Sequence, residues 1–331
     1  VAVADGFGHR RGDPMRRYVP IHLGCCREPT RCLLCGPPRP LPDPETVAAS
    51  IAAVRVDHPE DDLAVRFFGG APPSPAMLDA CGDLPRSARV RPDLLTRADA
   101  AGLRAAGVDE IELDALTFHD DALKQAGRHY RRARVIEMLR ALRADGFRTG
   151  VVLAPGLPAT DADTCRDDAD LCVGLVDTAR LHPVLVLAGS RLETHLHHAR
   201  YEPLSLGAAV TVCREMAEIL ESGGVRVVRI GLQPAHDGAG RAVAGPRHPA
   251  LRQLVDARRA SAQVEALLTG VSAGTRIHVR CAPADETVTR GPLNAQIRAW
   301  RAAYHLADLR VVPDATLSRG VWRVEILSEE A

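Results

Sequence analysis

Ile21-His22-Leu23-Gly24-Cys25-Cys26-Arg27-Glu28-Pro29-Thr30-Arg31-Cys32-Leu33-Leu34-Cys35 gathers four thiols in one short run, behind a strand expected over Tyr18–Leu23 and ahead of the turn Gly36-Pro37-Pro38. Cys25 and Cys26 are adjacent and compete for one place, so the run offers three usable ligands: Cys25 (or Cys26), Cys32 and Cys35. Thiolates bind soft metal centres, and sets of four cysteines serve zinc or iron–sulfur clusters. Three thiolates on a four-iron cluster leave one iron open, which suits cofactor or substrate chemistry. A zinc site needs a fourth ligand, and no second Cys-x-x-Cys follows. The run by itself leaves iron–sulfur, zinc and coincidence open.

Working outward, the chain has 331 residues, 46% of them hydrophobic, with 42 Lys+Arg against 42 Asp+Glu. That length supports a buried core, one large domain and a smaller one. A net charge of zero gives no long-range pull toward nucleic acid, so any RNA site must be a local patch. No apolar run reaches membrane-spanning length, and the N-terminus has no signal-peptide core, so no membrane partner is expected. Nine cysteines without a regular framework fit a reducing cytoplasm. The polar, glycine-rich stretch 1–14 is expected to be disordered, with Met15 as the working start.

Strand and helix alternate from there on. Strands are expected at Leu63–Phe68, Ala88–Arg91, Glu110–Leu113, Thr149–Leu153, Ala179–Leu187 and Val225–Ile230. Helices are expected at Leu94–Ala106, Arg131–Asp145, Asp167–Thr178 and Leu206–Ser222, the first two closed by Gly107 and Gly146 in the C′ position. Repeated strand–helix units imply a parallel sheet with right-handed crossovers. Chemistry in such barrels sits at the carboxyl ends of the strands. The cysteine loop, Gly69-Gly70, Arg91, Glu112 and Pro155-Gly156 all fall at or near those ends.

A set of motifs then appears in one order: Cys25…Cys32-x-x-Cys35, Phe67-Phe68-Gly69-Gly70, Arg91-Pro92-Asp93, Ile111-Glu112-Leu113, Gly156-Leu157-Pro158, Arg229–Pro234 and Ala244–Pro249. Together they resemble the radical S-adenosylmethionine (SAM) superfamily, and within it the radical-SAM half of the Elongator catalytic subunit, in a bacterial branch without the acetyltransferase domain. The resemblance runs from about Tyr18 to Ile326. It implies an α/β fold: a partial (β/α)6 TIM-like radical SAM barrel over residues 15–235, then a linker and a small α+β unit over 236–331.

The resemblance also implies an activity. Cys25, Cys32 and Cys35 would hold a [4Fe–4S] cluster whose open iron chelates SAM, and an electron would cleave SAM to methionine and a 5′-deoxyadenosyl radical. Gly69 and Gly70 would let the backbone approach the SAM amino group, where a β-carbon would clash. Glu112 would accept hydrogen bonds from the ribose or amino group, Arg91 would pair with a carboxylate, and Pro155-Gly156 would complete the ring. Partners implied are a flavodoxin- or ferredoxin-like electron donor and tRNA. Alternatives are a small-molecule substrate, as in coproporphyrinogen dehydrogenases, or a degenerate, non-catalytic barrel.

Plainer readings stand beside these. Gly-Gly after a strand is ordinarily a turn. Glu112 also reads as a solvated strand residue, and Arg91 as an anchor of the barrel rim. Cys81, Cys165, Cys172, Cys213 and Cys281 read as small buried hydrophobes. His182, placed inside the last barrel strand, reads as facing the substrate or as a satisfied core histidine. The chain departs from its branch in the Cys25–Cys32 spacing, in Ala71-Pro72-Pro73, in Leu113-Asp114-Ala115-Leu116 and in Ala159-Thr160. Beyond the barrel, strands at Thr275–Cys281, Leu309–Val312 and Gly320–Leu327 flank a helix at Leu293–Tyr304. The turn Gly291-Pro292-Leu293-Asn294 lacks the second glycine of a Gly-x-x-Gly phosphate clamp. Arg290, Arg298 and Arg301 make the local basic face through which RNA would bind.

Overall fold

The computed structural model describes residues 16–24, 32–35, 41–231 and 241–327. The expectations for 1–15, for Cys25 and Cys26, for Gly36-Pro37-Pro38 and for Gln233-Pro234 lie outside these residues. The chain divides into two compact units, 1–249 and 250–331.

The first unit runs β1 (Arg16–His22), α1 (Pro44–Asp57), β2 (Asp62–Phe68), α2 (Pro75–Asp79), β3 (Arg86–Val90), α3 (Arg97–Ala105) and β4 (Val108–Leu116). It continues with α4 (Asp120–Gln125), α5 (Arg132–Ala144), β5 (Arg148–Leu153), α6 (Ala162–Cys172), β6 (Thr178–Leu181), β7 (Val186–Leu187), α7 (Arg191–His197), α8 (Leu206–Ser222), β8 (Arg226–Ile230) and β9 (Ala242–Ala244). Strands β1-β2-β3-β4-β5-β6-β8 form one sheet in that order, every pair parallel. The sheet curls into an open half-barrel, α/β in class, with seven strands where (β/α)6 implies six.

Period-two alternation decides what lies on each side. Val19 and Ile21, Leu63, Val65 and Phe67, Ile111 and Leu113, Val151 and Leu153 are almost completely buried on one face. The other face carries Arg66, Ser87, Arg89, Glu110, Glu112 and Arg180, so the barrel interior is charged.

Local chemistry sets the element ends. Thr96 and Asp99 form a capping box, so α3 starts at Arg97 rather than at Leu94. Asp161 and Thr164 form another, which moves the next helix to Ala162–Cys172 from the expected Asp167–Thr178. The expected single strand Ala179–Leu187 is split: Pro183 follows β6, and β7 leaves the barrel to pair antiparallel with β9. His182 therefore sits just past β6, while β8 is the last barrel strand. Gly107 and Gly146 both take positive φ after their helices, as a left-handed C′ residue does.

The second unit runs α9 (Leu251–Leu268), β10 (Arg276–Cys281), α10 (Glu286–Arg290), α11 (Ala295–Ala303), β11 (Asp308–Pro313) and β12 (Trp322–Leu327). Its sheet has the order β11-β10-β12, parallel then antiparallel. One face packs Ile277, Val279, Leu309, Val311 and Trp322 against Ala260 and Val264 of α9 and Trp300 of α11. The sequence reading missed α9 altogether.

Asp168 of α6 is buried and accepts the Phe118 N–H at 2.7 Å, tying α6 to the loop after β4. Burial pushes its carboxyl up to about 6, against the pull of hydrogen bonds from Thr117 and Phe118. Because the folded carboxyl holds its proton more tightly than the unfolded one, at about 3.9, its contribution to stability is whole below pH ~4. That contribution is lost as pH rises through 6. Asp168→Asn keeps an acceptor and removes the buried charge, so it is expected to raise the melting temperature at pH 8 and to leave it nearly unchanged at pH 4. Equal shifts at both pH values count against a buried, titrating Asp168.

Candidate functional site

At the carboxyl end of the strands the backbone ladder continues past the sheet. Leu23 N–H donates to Phe68 O at 2.6 Å, Gly70 N–H to Gly24 O at 2.9 Å and Arg91 N–H to Gly70 O at 2.8 Å. The Gly69-Gly70 turn is thereby clamped between the start of the cysteine loop and the end of β3. Gly69 has φ +154°, and a β-carbon there would lie 2.5 Å from Gly24 O and 2.9 Å from Leu23 Cβ. The chain's own approach to Gly24 already requires glycine at this position.

The far end of the loop is pinned separately. Leu33 donates to Ala126 O at 3.1 Å, and Leu33 O accepts from Leu192 N–H, at the start of α7, at 3.0 Å. Leu33 is buried in a cluster with Leu116, Ala154, Leu157 and Leu192. Cys32 on one side of it is buried, and Cys35 on the other is half-buried.

Cys35 and Gly69 open onto one cavity of about 170 Å³ at the mouth of the half-barrel. His22 of β1, Phe68 of β2, Asp114 of β4, Val152 of β5 and His182 after β6 line it, with Arg89 and Arg128. Arg89 stacks on the Phe68 ring, 5.0 Å from its centroid. Arg128 pairs with Asp114 at 3.2 Å. Tyr130 donates to Asp114 O at 3.0 Å and holds β4 where its register with β5 slips between Leu113 and Leu116. Leu116 there has φ +67° although buried and apolar, a conformation the surrounding packing must impose.

The other expected site residues fall elsewhere. Glu112 lies in the barrel interior, 2% exposed, with Oε1 and Oε2 at 2.6 and 2.9 Å from Arg180 Nε. Arg66 and Arg89 stand 3.7 Å from the same carboxylate. Burial pushes the Glu112 carboxyl up, and Arg66 and Arg89 pull it the other way. Glu112 is thus neither a solvated strand residue nor a wall of the cavity; it touches the cavity only through Arg89. Arg91 is buried and pairs with Asp93 at 2.9 Å. Gly156 packs under Leu204 and its carbonyl accepts from Tyr201 at 2.7 Å, while Pro155 O accepts from Val184 N–H at 3.0 Å. Neither Arg91, Gly70, Pro155 nor Gly156 lines the cavity.

His22, Arg89, Asp114 and Arg128 were not picked out from the sequence. A signal for two of them exists: Glu110, Glu112 and Asp114 share one face of β4, and His22 shares the inward face of β1 with Tyr18. Cys81, Cys165, Cys172, Cys213 and Cys281 are free and buried, and burial pushes the Cys165 thiol up to about 12. Cys25 and Cys26 lie outside the described residues. No described helix is long and apolar enough to cross a membrane.

Comparisons with known proteins agree with this architecture. Residues 176–261, from the end of α6 into α9, match the family model described as Radical_SAM C-terminal domain. The fold is similar to that of Elp3 from the archaeon Methanocaldococcus infernus, with an N-terminal deletion. The TM-score is 0.58 at 16% identity, covering 73% of this chain and 62% of that one. SuiB from Streptococcus suis is similar at TM-score 0.50 and 13% identity, over 66% of this chain and 50% of that one. This chain therefore spans less than two thirds of the length of either. No curated protein matches. The family model and the fold show the resemblance to the radical SAM superfamily. The architecture is similar to that of the Elp3 chain.

The Glu112–Arg180 pair crosses β5 directly over Gly150, whose β-carbon would fall 2.8 Å from Glu112 Cγ and 2.6 Å from Thr178 Oγ1. Removing one partner of a buried ion pair costs about 3–5 kcal/mol, and overpacking about 1–3 kcal/mol. Glu112→Ala is expected in the first range and Gly150→Ala in the second, by denaturant unfolding. A Glu112→Ala loss under about 1 kcal/mol would mean the network behaves like a surface pair.

Proposed function

We propose that this protein is a radical SAM enzyme in which Cys25, Cys32 and Cys35 hold a [4Fe–4S] cluster and the adjoining cavity takes SAM. The observation that carries the reading is the shared cavity: Cys35 and Gly69 face it together, at the carboxyl ends of parallel strands. When bound, the cluster supplies the electron that cleaves SAM to a 5′-deoxyadenosyl radical, and the electron comes from a flavodoxin- or ferredoxin-like donor. The chain's own residues position and shelter that chemistry. Gly69 keeps its part of the cavity wall to bare backbone, and Gly70, bonded to Gly24 and Arg91, holds that turn in place. Arg89 and Arg128 supply positive charge for a carboxylate, and His22 and His182 flank the opening. Glu112 acts at one remove, orienting Arg89.

The substrate we assign is RNA, with tRNA first, on the resemblance to the Elongator subunit. The radical chemistry does not depend on that assignment, and a small molecule is the other substrate class.

Anaerobic reconstitution is expected to load about four irons per chain, and Cys32→Ala to abolish loading. Gly69→Ala should also lower iron content, because its β-carbon displaces Gly24 at the root of the cysteine loop. Gly70→Val should weaken SAM binding by calorimetry with iron content retained. The reconstituted, reduced protein should release 5′-deoxyadenosine, faster with bulk tRNA if RNA is the substrate. Full iron loading of Cys32→Ala would refute the cluster assignment, and a release rate indifferent to tRNA would favour the small-molecule class.

A further inference from the structure

The second unit has one covered sheet face and one open face. Ile277, Val279, Leu309, Val311 and Trp322 point into its core. Alternation turns the intervening residues outward, and the register aligns them in three cross-strand rows. Arg276 lies between Asp308 and Leu327, His278 between Arg310 and Glu325, and Arg280 between Val312 and Arg323. All nine remain partly or fully exposed in the whole chain. Same-face neighbours along a strand are about 6.7 Å apart and neighbouring strands about 4.8 Å apart, so the rows fill a patch of roughly 13 by 10 Å.

Four arginines and a histidine share this patch with two carboxylates, on a chain whose total charge is zero. Glu325 is engaged by Arg280 at 2.7 Å and Asp308 by Arg310 at 3.1 Å. Among the described residues, Arg276 and Arg323 enter no ion pair. Asp314, just beyond β11, has its carboxyl held below the usual range first by Thr316, then by the field of Arg280 and Arg323.

The helical patch expected from the sequence is built differently. Arg290 is tied to Glu286 at 2.7 Å and to Val311 O at 2.9 Å. Arg298 donates to Leu293 O, and Arg301 to Ala307 O at 3.0 Å. These three arginines cap and brace their own helices, so their charges are already directed at backbone and carboxylate.

We infer that the open face of the β11-β10-β12 sheet, and not the α10–α11 arginines, is the surface that binds the phosphodiester backbone of RNA. The inference rests on the RNA reading above. Arginine forks match phosphate oxygens, and the patch has the charge complementary to a polyanion. Among the described residues no Phe, Tyr or Trp stands on this face, so the contact engages an RNA chiefly through its backbone and positions it rather than reading its sequence.

The full-length protein is titrated with a fluorescein-labelled single-stranded RNA of mixed sequence and with bulk tRNA, across a salt series. Arg276→Ala/Arg310→Ala/Arg323→Ala is expected to weaken both at least about tenfold at low salt. It should also flatten the slope of log affinity against log salt by about 2, the release expected for three lost phosphate contacts. SAM binding and the thermal midpoint should stay unchanged. Arg290→Ala/Arg298→Ala/Arg301→Ala should keep wild-type RNA affinity if its fold is intact by circular dichroism. Wild-type RNA affinity in the sheet variant overturns the inference and leaves the RNA reading standing. Displacement of RNA by polyglutamate at no change in salt slope would identify an acidic protein as the occupant instead, and also overturn it. No RNA binding by the wild-type protein at low salt removes the RNA reading itself, with the cluster assignment still judged by iron content.

Discussion

The interior of the half-barrel is organised by one carboxylate. Glu112 is almost fully buried and faces three guanidiniums, Arg180 sharing its Nε–H between both carboxylate oxygens and Arg66 and Arg89 at 3.7 Å. Glu110 extends the network to Arg66 at 3.0 Å and Arg148 at 3.1 Å. Taking such charges from water is expensive, and their attraction offsets the cost only when geometry is close and hydrogen bonds are filled. Several features of the sheet follow from that demand. β5 carries glycine at 150 so that the pair can cross it, and β2, β3 and β6 each turn an arginine inward. The strands must hold register, since a one-residue slip would exchange these charges with the apolar helix-facing row.

The same network connects the scaffold to the cavity. Arg89 touches Glu112 below, the Phe68 ring beside it and the cavity above. Its orientation is therefore decided from beneath, by a residue that does not line the cavity. At the rim, Asp114 and Arg128 form a second pair, placed by the slip in β4 that Tyr130 and the left-handed Leu116 maintain. The sequence departs from the branch it resembles in this same stretch, Leu113–Leu116. Asp114 and Leu116 line the cavity, so the altered stretch shapes its wall.

How far the sequence could be read depended on how local each signal was. Strand–helix alternation, the Gly107 and Gly146 helix ends and the clustering of motifs at strand ends are local, and all are present in the fold. Cap-defined boundaries such as Thr96 and Asp161 were legible in principle, as both show the three-residue capping spacing. The helix Leu251–Leu268 was missed because its apolar residues are interleaved with Arg252, Arg258 and Arg259, and its burial is supplied by strands that come later. Glu112 shows the limit most clearly. Its alternation with Ile111 and Leu113 says only that it faces away from the helices. Whether that direction means solvent, ligand or a buried arginine depends on Arg66 and Arg180, 46 residues before it and 68 after.

Gly69 makes a related point about inferring ligands from glycine. A bare backbone at a strand end was read as room for a cofactor, and the structure supplies a second sufficient cause in the approach of Gly24 O. The two causes are linked. Gly24 ends the described stretch just before Cys25, so the contact that excludes a β-carbon at 69 also fixes the root of the cysteine run. Cys32 and Cys35 are placed independently, through Leu33 and its bonds to Ala126 and Leu192. A loop whose two ends are anchored to different parts of the fold can vary in length between its anchors at small entropic cost. The long Cys25–Cys32 spacing is therefore compatible with an unchanged position for the flanking residues, and the geometry that a cluster needs is carried by Gly24 and Leu33 rather than by the number of residues between.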